Sequence, residues 1–300
     1  MNKPEKPKFS VAITTKGYQT LINNTLHDPK RANRFISSIT SAVAVNPSLQ
    51  ECTAGTILAG ALLGESLNLS PSPQLGQFYL VPFKSKEKRD RSGNVIAPEE
   101  TKAQFILGYK GYIQLALRSG VYADIDAMEI KEGEYIGKDP MTGKPRFSFV
   151  EDDDERDSLE TVGYMAYFEY LNGFKKVIYW SKKKMMSHAD KYSPAFSAKA
   201  YEDIQNGKIA EKDMWRYSSF WYKSFDDMEK KTLLRQLISR WGLMSIEMQT
   251  AFESDSAVKD LNAKNEIVTA DEAIPAIENP PTEPEAVDVK TQVNLNDLPD

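Results

Sequence analysis

Two strand-like runs facing each other across Asn172-Gly173 constrain this chain more than any other feature. TVGYMAYFEYL (161–171) and FKKVIYW (174–180) are rich in aromatic and β-branched residues, and the Asn-Gly pair between them suits the positive φ values of a type I′ turn. A long antiparallel hairpin is predicted there. Two further runs, QFYLVPFK (77–84) and AQFILGY (103–109), read as strands joined by a charged, turn-rich loop. Helical spacing is found at 31–46, 53–67, 110–120, 181–191, 213–223 and 226–241, with Leu234, Leu237 and Trp241 marking a buried stripe in the last. Together these predict an α+β fold: one domain with N-terminal helices, a small antiparallel β-sheet containing the long hairpin, and C-terminal helices.

Charge divides the chain unevenly. Residues 249–300 carry twelve acidic groups against Lys259, Lys264 and Lys290, a net of −9, whereas the whole chain is at −5 and residues 1–248 are therefore at +4. A mildly basic body with an acidic end points to a polyanion as partner. The stretch after Ser254 lacks aromatic residues and holds five prolines from Pro275 on, so it cannot bury enough apolar surface to offset its ordering entropy. The expected organisation is a flexible N-terminus over 1–16, a folded domain over 17–253 and a disordered acidic tail over 254–300.

Several chemistries lack their residues. No glycine loop of the form G-x-x-x-x-G-K-[ST] is present to cradle a nucleotide phosphate; Gly143-Lys144 is followed by Pro145 and has no glycine five residues upstream. Cys52, His27 and His188 are too few for a Cys/His zinc site, and a single cysteine, unable to form an intrachain disulfide, fits a reduced, cytoplasmic compartment. The densest carboxylate run, EDDDERD at 151–157, is contiguous, and adjacent residues cannot all face one metal, so it reads as a solvated turn. No cofactor is expected.

What remains is a set of cations interleaved with aromatics. Tyr109, Lys110, Gln114 and Arg118 lie on the amphipathic segment 110–120 or at its start. Lys175, Lys176, Trp180, Lys182, Lys183 and Lys184 follow along the hairpin and the helix after it. Trp221, Lys223, Lys231, Arg235, Arg240 and Trp241 belong to the late helices. Lysine and arginine neutralise phosphates, and exposed aromatic faces stack on unpaired bases of any sequence, so the combination suits single strands. Trp241 and Phe174 read as core, and Trp180 as either core or surface.

LGYKGYIQLALRSG at 107–120 resembles the signature of the RecT family of phage and prophage recombinases. QLGQFYLVPFK at 74–84, NGFKKVIYW at 172–180 and KTLLRQLISRWG at 231–242 follow the family's blocks in order. The resemblance spans roughly residues 17–250. It implies single-stranded DNA binding and ATP-independent annealing of complementary strands within a homo-oligomeric ring or helical filament. It also implies a phage exonuclease and the host single-stranded-DNA-binding protein as partners. Carried onto this chain, the family's basic positions fall on Lys110, Arg118, Lys175, Lys176, Lys231, Arg235 and Arg240. With Lys110 and Arg118 on one helical face and Lys231 and Arg235 at i, i+4, replacing each pair by alanine should weaken DNA binding and spare the fold. The rival readings are a metal-dependent DNA nuclease and a passive protein that protects single strands.

Overall fold

The computed structural model of the chain describes residues 8–85, 87–90, 92–261 and 267–269. It opens with α1 (Phe9–Ala12), α2 (Lys16–Leu26), α3 (Pro29–Val45) and α4 (Ala54–Ser66). Asp28 accepts hydrogen bonds from the Lys30 and Arg31 amides at 2.8 and 3.4 Å just before Pro29, so α3 begins with a capping carboxylate and a proline at its first position. α4 has no polar face and is buried from Gly55 to Gly64. Residues 8–16, expected to be flexible, are packed: Phe9 and Ile13 are each only 2% exposed, and both join the central core. Residues 1–7 lie outside the described part.

Next come β1 (Phe78–Ser85), β2 (Lys88–Arg89), β3 (Val95–Ala97) and β4 (Glu100–Leu107), followed by α5 (Tyr109–Arg118). β1 and β4 pair antiparallel from Phe78↔Leu107 to Ser85↔Glu100, while β2 and β3 pair within their connecting loop. The glycines of the α5 signature let this ribbon and the helix touch backbone to backbone. A Cβ on Gly108 would lie 2.0 Å from the Gly76 carbonyl oxygen, and one on Gly111 would lie 2.2 Å from that of Gln77.

β5 (Tyr122–Lys131) leads into a ribbon, β6 (Tyr135–Lys138) with β7 (Pro145–Phe147), then α6 (Asp153–Ser158), β8 (Thr161–Tyr170) and β9 (Lys175–Ser181). The main sheet is antiparallel in the order β5-β8-β9. The 151–157 run is solvent-exposed as expected but largely forms α6 rather than a turn, and Arg156 turns inward to place Nε and Nη2 2.6 and 3.2 Å from the buried Glu134 carboxylate. The long hairpin is present, but its turn is not type I′. Gly173 N donates to Tyr170 O and Tyr170 N to Phe174 O, so Leu171, Asn172 and Gly173 form a three-residue loop. Of the Asn-Gly pair only Gly173 has positive φ, 82°, because Asn172 instead accepts the Phe174 amide on its side chain at 3.0 Å.

The chain then forms α7 (Lys182–Tyr192), α8 (Ala198–Gln205), α9 (Phe220–Lys223), α10 (Phe225–Trp241) and α11 (Ile246–Ser254). The helix expected over 213–223 is broken: 211–216 is a 3-10 turn, and Ser219 directs its hydroxyl to the Ala195 carbonyl at 2.8 Å. α10 crosses β5, β8 and β9 and is buried at every position from 231 to 238. No helix among the described residues is long and apolar enough to cross a membrane.

The folded part does not end at 253. Asp255 is 3% exposed and its carboxylate accepts four donors: Leu107 N at 3.0 Å, Tyr112 OH at 3.0 Å, Lys231 Nζ at 2.8 Å and Arg235 Nη1 at 3.3 Å. Ser256 N then donates to Phe105 O and Phe105 N to Ala257 O, Val258 is fully buried, and β10 (Lys259–Leu261) pairs with β11 (Ile267–Thr269). The expected disorder from 270 on lies outside the described residues. Because losing one partner of a buried ion pair leaves an uncompensated charge, Asp255→Ala should lower unfolding stability by about 3–5 kcal/mol in denaturant titrations. A chain cut after Ser254 should fold no better than that variant.

Candidate nucleic-acid interface

Alternation along β9 sends its side chains to two places. Tyr179 stacks on Tyr135 of the β6–β7 ribbon, centroids 4.3 Å apart and planes 15° apart, and packs edge-on to Phe147. Lys176 and Trp180 face the helices instead. Lys176 Nζ stands 4.3 Å from the Trp241 ring centre and Lys184 Nζ 4.1 Å from that of Trp180, with Arg240 5.9 Å from Trp241. Trp180 ends β9 just before α7 begins, and α7 brings Lys184 and, one turn further, His188 to its ring, His188 meeting it edge-on at 5.1 Å.

The electrostatics of this patch are one-sided. Burial, then the neighbouring Lys138 and Arg240 charges, hold the Lys184 ammonium below its ordinary value. Burial, then Lys184 and Lys191, hold His188 down at about 4, so it is neutral near pH 7. Among the described residues Lys138, Lys176, Lys184 and Arg240 make no ion pair, whereas Lys175 is paired with Glu169 at 2.6 Å and Lys182 with Glu160 at 3.9 Å. Lys183 is exposed. Trp241, 37% exposed, and Phe174, 48% exposed, are not core as expected. The chain turns out of α10 at Trp241–Gly242, and the Tyr170 hydroxyl holds that bend through Trp241 O and Leu243 N at 2.7 and 2.8 Å.

A second feature is a cavity of about 540 Å³ between the β1–β4 ribbon and α10. Lys223 lines it, and Lys231, Arg235 and Asp255 contribute to it from the interior. A smaller cleft beside Tyr109 adjoins it, sharing Ile106, Phe220, Met228 and Lys231.

A model of the RecT family matches residues 33–282. The chain belongs to the RecT family. It is 34% identical over 239 residues to the uncharacterized protein YqaK of Bacillus subtilis (strain 168), a match covering 79% of this chain and 69% of that protein. It is 33% identical over 103 residues to protein RecT of Escherichia coli (strain K12), covering 34% and 35% of the two chains. Family membership places the chain among proteins of single-strand annealing and DNA recombination, which bind single-stranded DNA and oligomerise.

Within this family member the expected cations part company. Lys176, Trp180 and Arg240 come together in the patch. Lys110 is exposed at the start of α5, next to half-buried Tyr109, and Gln114 is exposed one turn on. Arg118 commits its guanidinium to the carbonyls of Leu67, Asn68 and Gln114 at 2.7, 3.2 and 3.2 Å, capping the end of α4. Lys231 and Arg235, expected on an exposed face, are 4% and 7% exposed because both neutralise Asp255. Alanine there should therefore not spare the fold. Trp221 is 4% exposed, packed against Phe196 and Phe225. Lys138 went unnoticed in the sequence because a lone lysine in a short ribbon carries no pattern, whereas Lys184 was among the expected cations.

α10 also buries Glu229 completely, with neither carboxylate oxygen hydrogen-bonded. Burial, then the Asp226 charge, push its carboxyl from 4.5 up to about 9 against the opposing pull of Lys182. The folded state therefore keeps a proton that the unfolded chain gives up, and the associated stability is lost as pH rises from about 4.5 through 9. Thermal melts should show the melting temperature falling across that window, with a visibly shallower fall for Glu229→Gln. An unchanged profile would mean that Glu229 is ionised in the fold.

Proposed function

We propose that this chain binds single-stranded DNA on the Lys138–Lys176–Lys184–Arg240 patch and anneals complementary strands without ATP. In this reading it works within a homo-oligomeric ring or helical filament. The observation that carries it is the crowding of four cations around Trp180 and Trp241 with no carboxylate partner among the described residues. Uncompensated cations of this kind attract phosphate, and an indole partly in solvent offers a face to any base. Lys176 and Lys184 sit over the rings, so each holds an indole in place while its charge stays within reach of a phosphate beside a stacked base.

Contacts to phosphate position a strand without reading it. Base pairing with the second strand supplies the specificity and the driving force, so no nucleotide hydrolysis is needed. The protein lowers repulsion between strands and holds the first one ready. Successive subunits extend the patch into a track. An exonuclease that exposes single strands and the host single-stranded-DNA-binding protein are the partners this chemistry requires.

Three outcomes separate this from its rivals. The combined variant Lys176→Ala, Lys184→Ala, Arg240→Ala should remain folded, bind single strands more weakly, and show a salt slope reduced by about 0.7 for each phosphate it no longer neutralises. Trp241→Ala should cost about 1–3 kcal/mol of binding. The parent protein should speed the pairing of complementary oligonucleotides without ATP. Binding that blocks pairing would instead favour a passive protective protein, and magnesium-dependent loss of labelled DNA a nuclease.

A further inference from the structure

The cavity beside α10 has a chemistry the annealing reading does not use. Its walls are apolar, formed by Val81 and Pro82 of β1, Ile106 of β4, Phe220 of α9 and Met228 of α10. Lys231, Arg235 and Asp255 form its most enclosed part, and Lys223, exposed on α9, is the remaining charged residue lining it. Among the described residues, three cations and one carboxylate leave the lining at a net +2.

The Asp255 cluster does not saturate its own donors. Arg235 is 7% exposed, and among the described residues it donates only through Nη1, to the Tyr112 hydroxyl at 3.0 Å, Asp255 at 3.3 Å and the Phe252 carbonyl at 3.4 Å. Its Nε and Nη2 are unbonded, they are not among the unpaired polar atoms sealed from solvent, and Arg235 lines the cavity. Lys231 Nζ carries three protons and, among the described residues, is bonded to Asp255 alone. Burial, with the Arg235 charge adding to it, lowers the Lys231 ammonium from its ordinary value against the pull of Asp255.

We infer that this cavity binds the terminal phosphate monoester of a DNA strand, with the end nucleotide against the apolar wall. This rests on the single-strand reading above. A phosphate monoester is close to a dianion at neutral pH and matches the lining's +2, while an internal phosphodiester brings one charge. An internal phosphate is also flanked by chain on both sides, and reaching residues this deeply buried would draw both flanks inside. A terminal phosphate enters end-on. The volume is within the range of about 300–1,000 Å³ that holds one small ligand, so it takes a nucleotide and not a run of strand. A protein that captures strand ends in this way starts its assembly where nuclease action leaves them.

The test is fluorescence anisotropy of the full chain with oligothymidylates that carry a 5′-phosphate, a 3′-phosphate or hydroxyls at both ends. At least one phosphorylated oligonucleotide should bind about tenfold tighter than the hydroxyl-ended one, as charge-assisted hydrogen bonds require. Inorganic phosphate should erase the difference. Lys223→Ala, a substitution at an exposed position, should bring the ratio of affinities towards one, as should Phe220→Ala. Which end is preferred tells the polarity of capture. Equal affinity for all three oligonucleotides, or a preference that survives both Lys223→Ala and excess phosphate, would overturn the inference while leaving strand binding intact. Failure of all three to bind would instead remove the single-strand reading.

Discussion

One carboxylate organises this fold. Asp255 lies where β4, α5, α10 and the segment after α11 meet, and it takes one hydrogen bond from each of the first two and two from α10. Two cations against one anion in a site this enclosed is an expensive arrangement whose net worth is small even when its geometry is good. Its value is in specification. Only with Asp255 in place are the Lys231 and Arg235 charges tolerable in the interior. The segment carrying Asp255 can then lay Ser256 and Ala257 along Phe105 and bury Val258. The signature helix is drawn into the same cluster through Tyr112, whose hydroxyl burial, then Asp255, hold well above its usual range.

α10 thereby serves two ends at once. Its middle is interior, with Leu233, Leu234, Leu237 and Ile238 wholly buried beside the charged pair. Its last turn leaves the core at Arg240 and Trp241, and these meet Lys176 of β9 and the Lys184 neighbourhood of α7. The rigid interior of the helix sets where the exposed end stands relative to the hairpin, and the Tyr170 hydroxyl fastens the bend that follows. Binding chemistry on the surface is positioned by the buried ion cluster beneath it.

The elements with strong periodicity were legible in the sequence: the 161–180 hairpin, the β1–β4 ribbon, and the helices that became α3, α4, α5, α7 and α10. Their hydrophobic pattern reports burial directly. Charged residues carry no such pattern, which is why the i, i+4 pair Lys231 and Arg235 looked like phosphate contacts on an exposed groove. Its counter-ion stands in a stretch whose composition otherwise speaks for disorder, so Asp255 could not be told from the eleven other acidic residues beyond 248. Trp241 went wrong for a related reason. It continues the spacing of Leu234 and Leu237, but the helix ends there and the stripe runs out into solvent. At the candidate site, Trp180, Lys176 and Arg240 become neighbours of one another only in three dimensions; nothing in the linear order joins 176 to 240.

The most direct test is native-state hydrogen exchange on the free protein, read at the amides of Phe105, Leu107 and Ser256. If the Asp255 cluster closes the fold, all three exchange only on global unfolding, and Asp255→Asn lowers their protection together with that of α10. Fast exchange at all three while the amides of α10 stay protected would show that the segment after α11 is a loose appendage, since the Phe105 and Leu107 amides find their acceptors on it, and the burial of Lys231 and Arg235 would then need another cause.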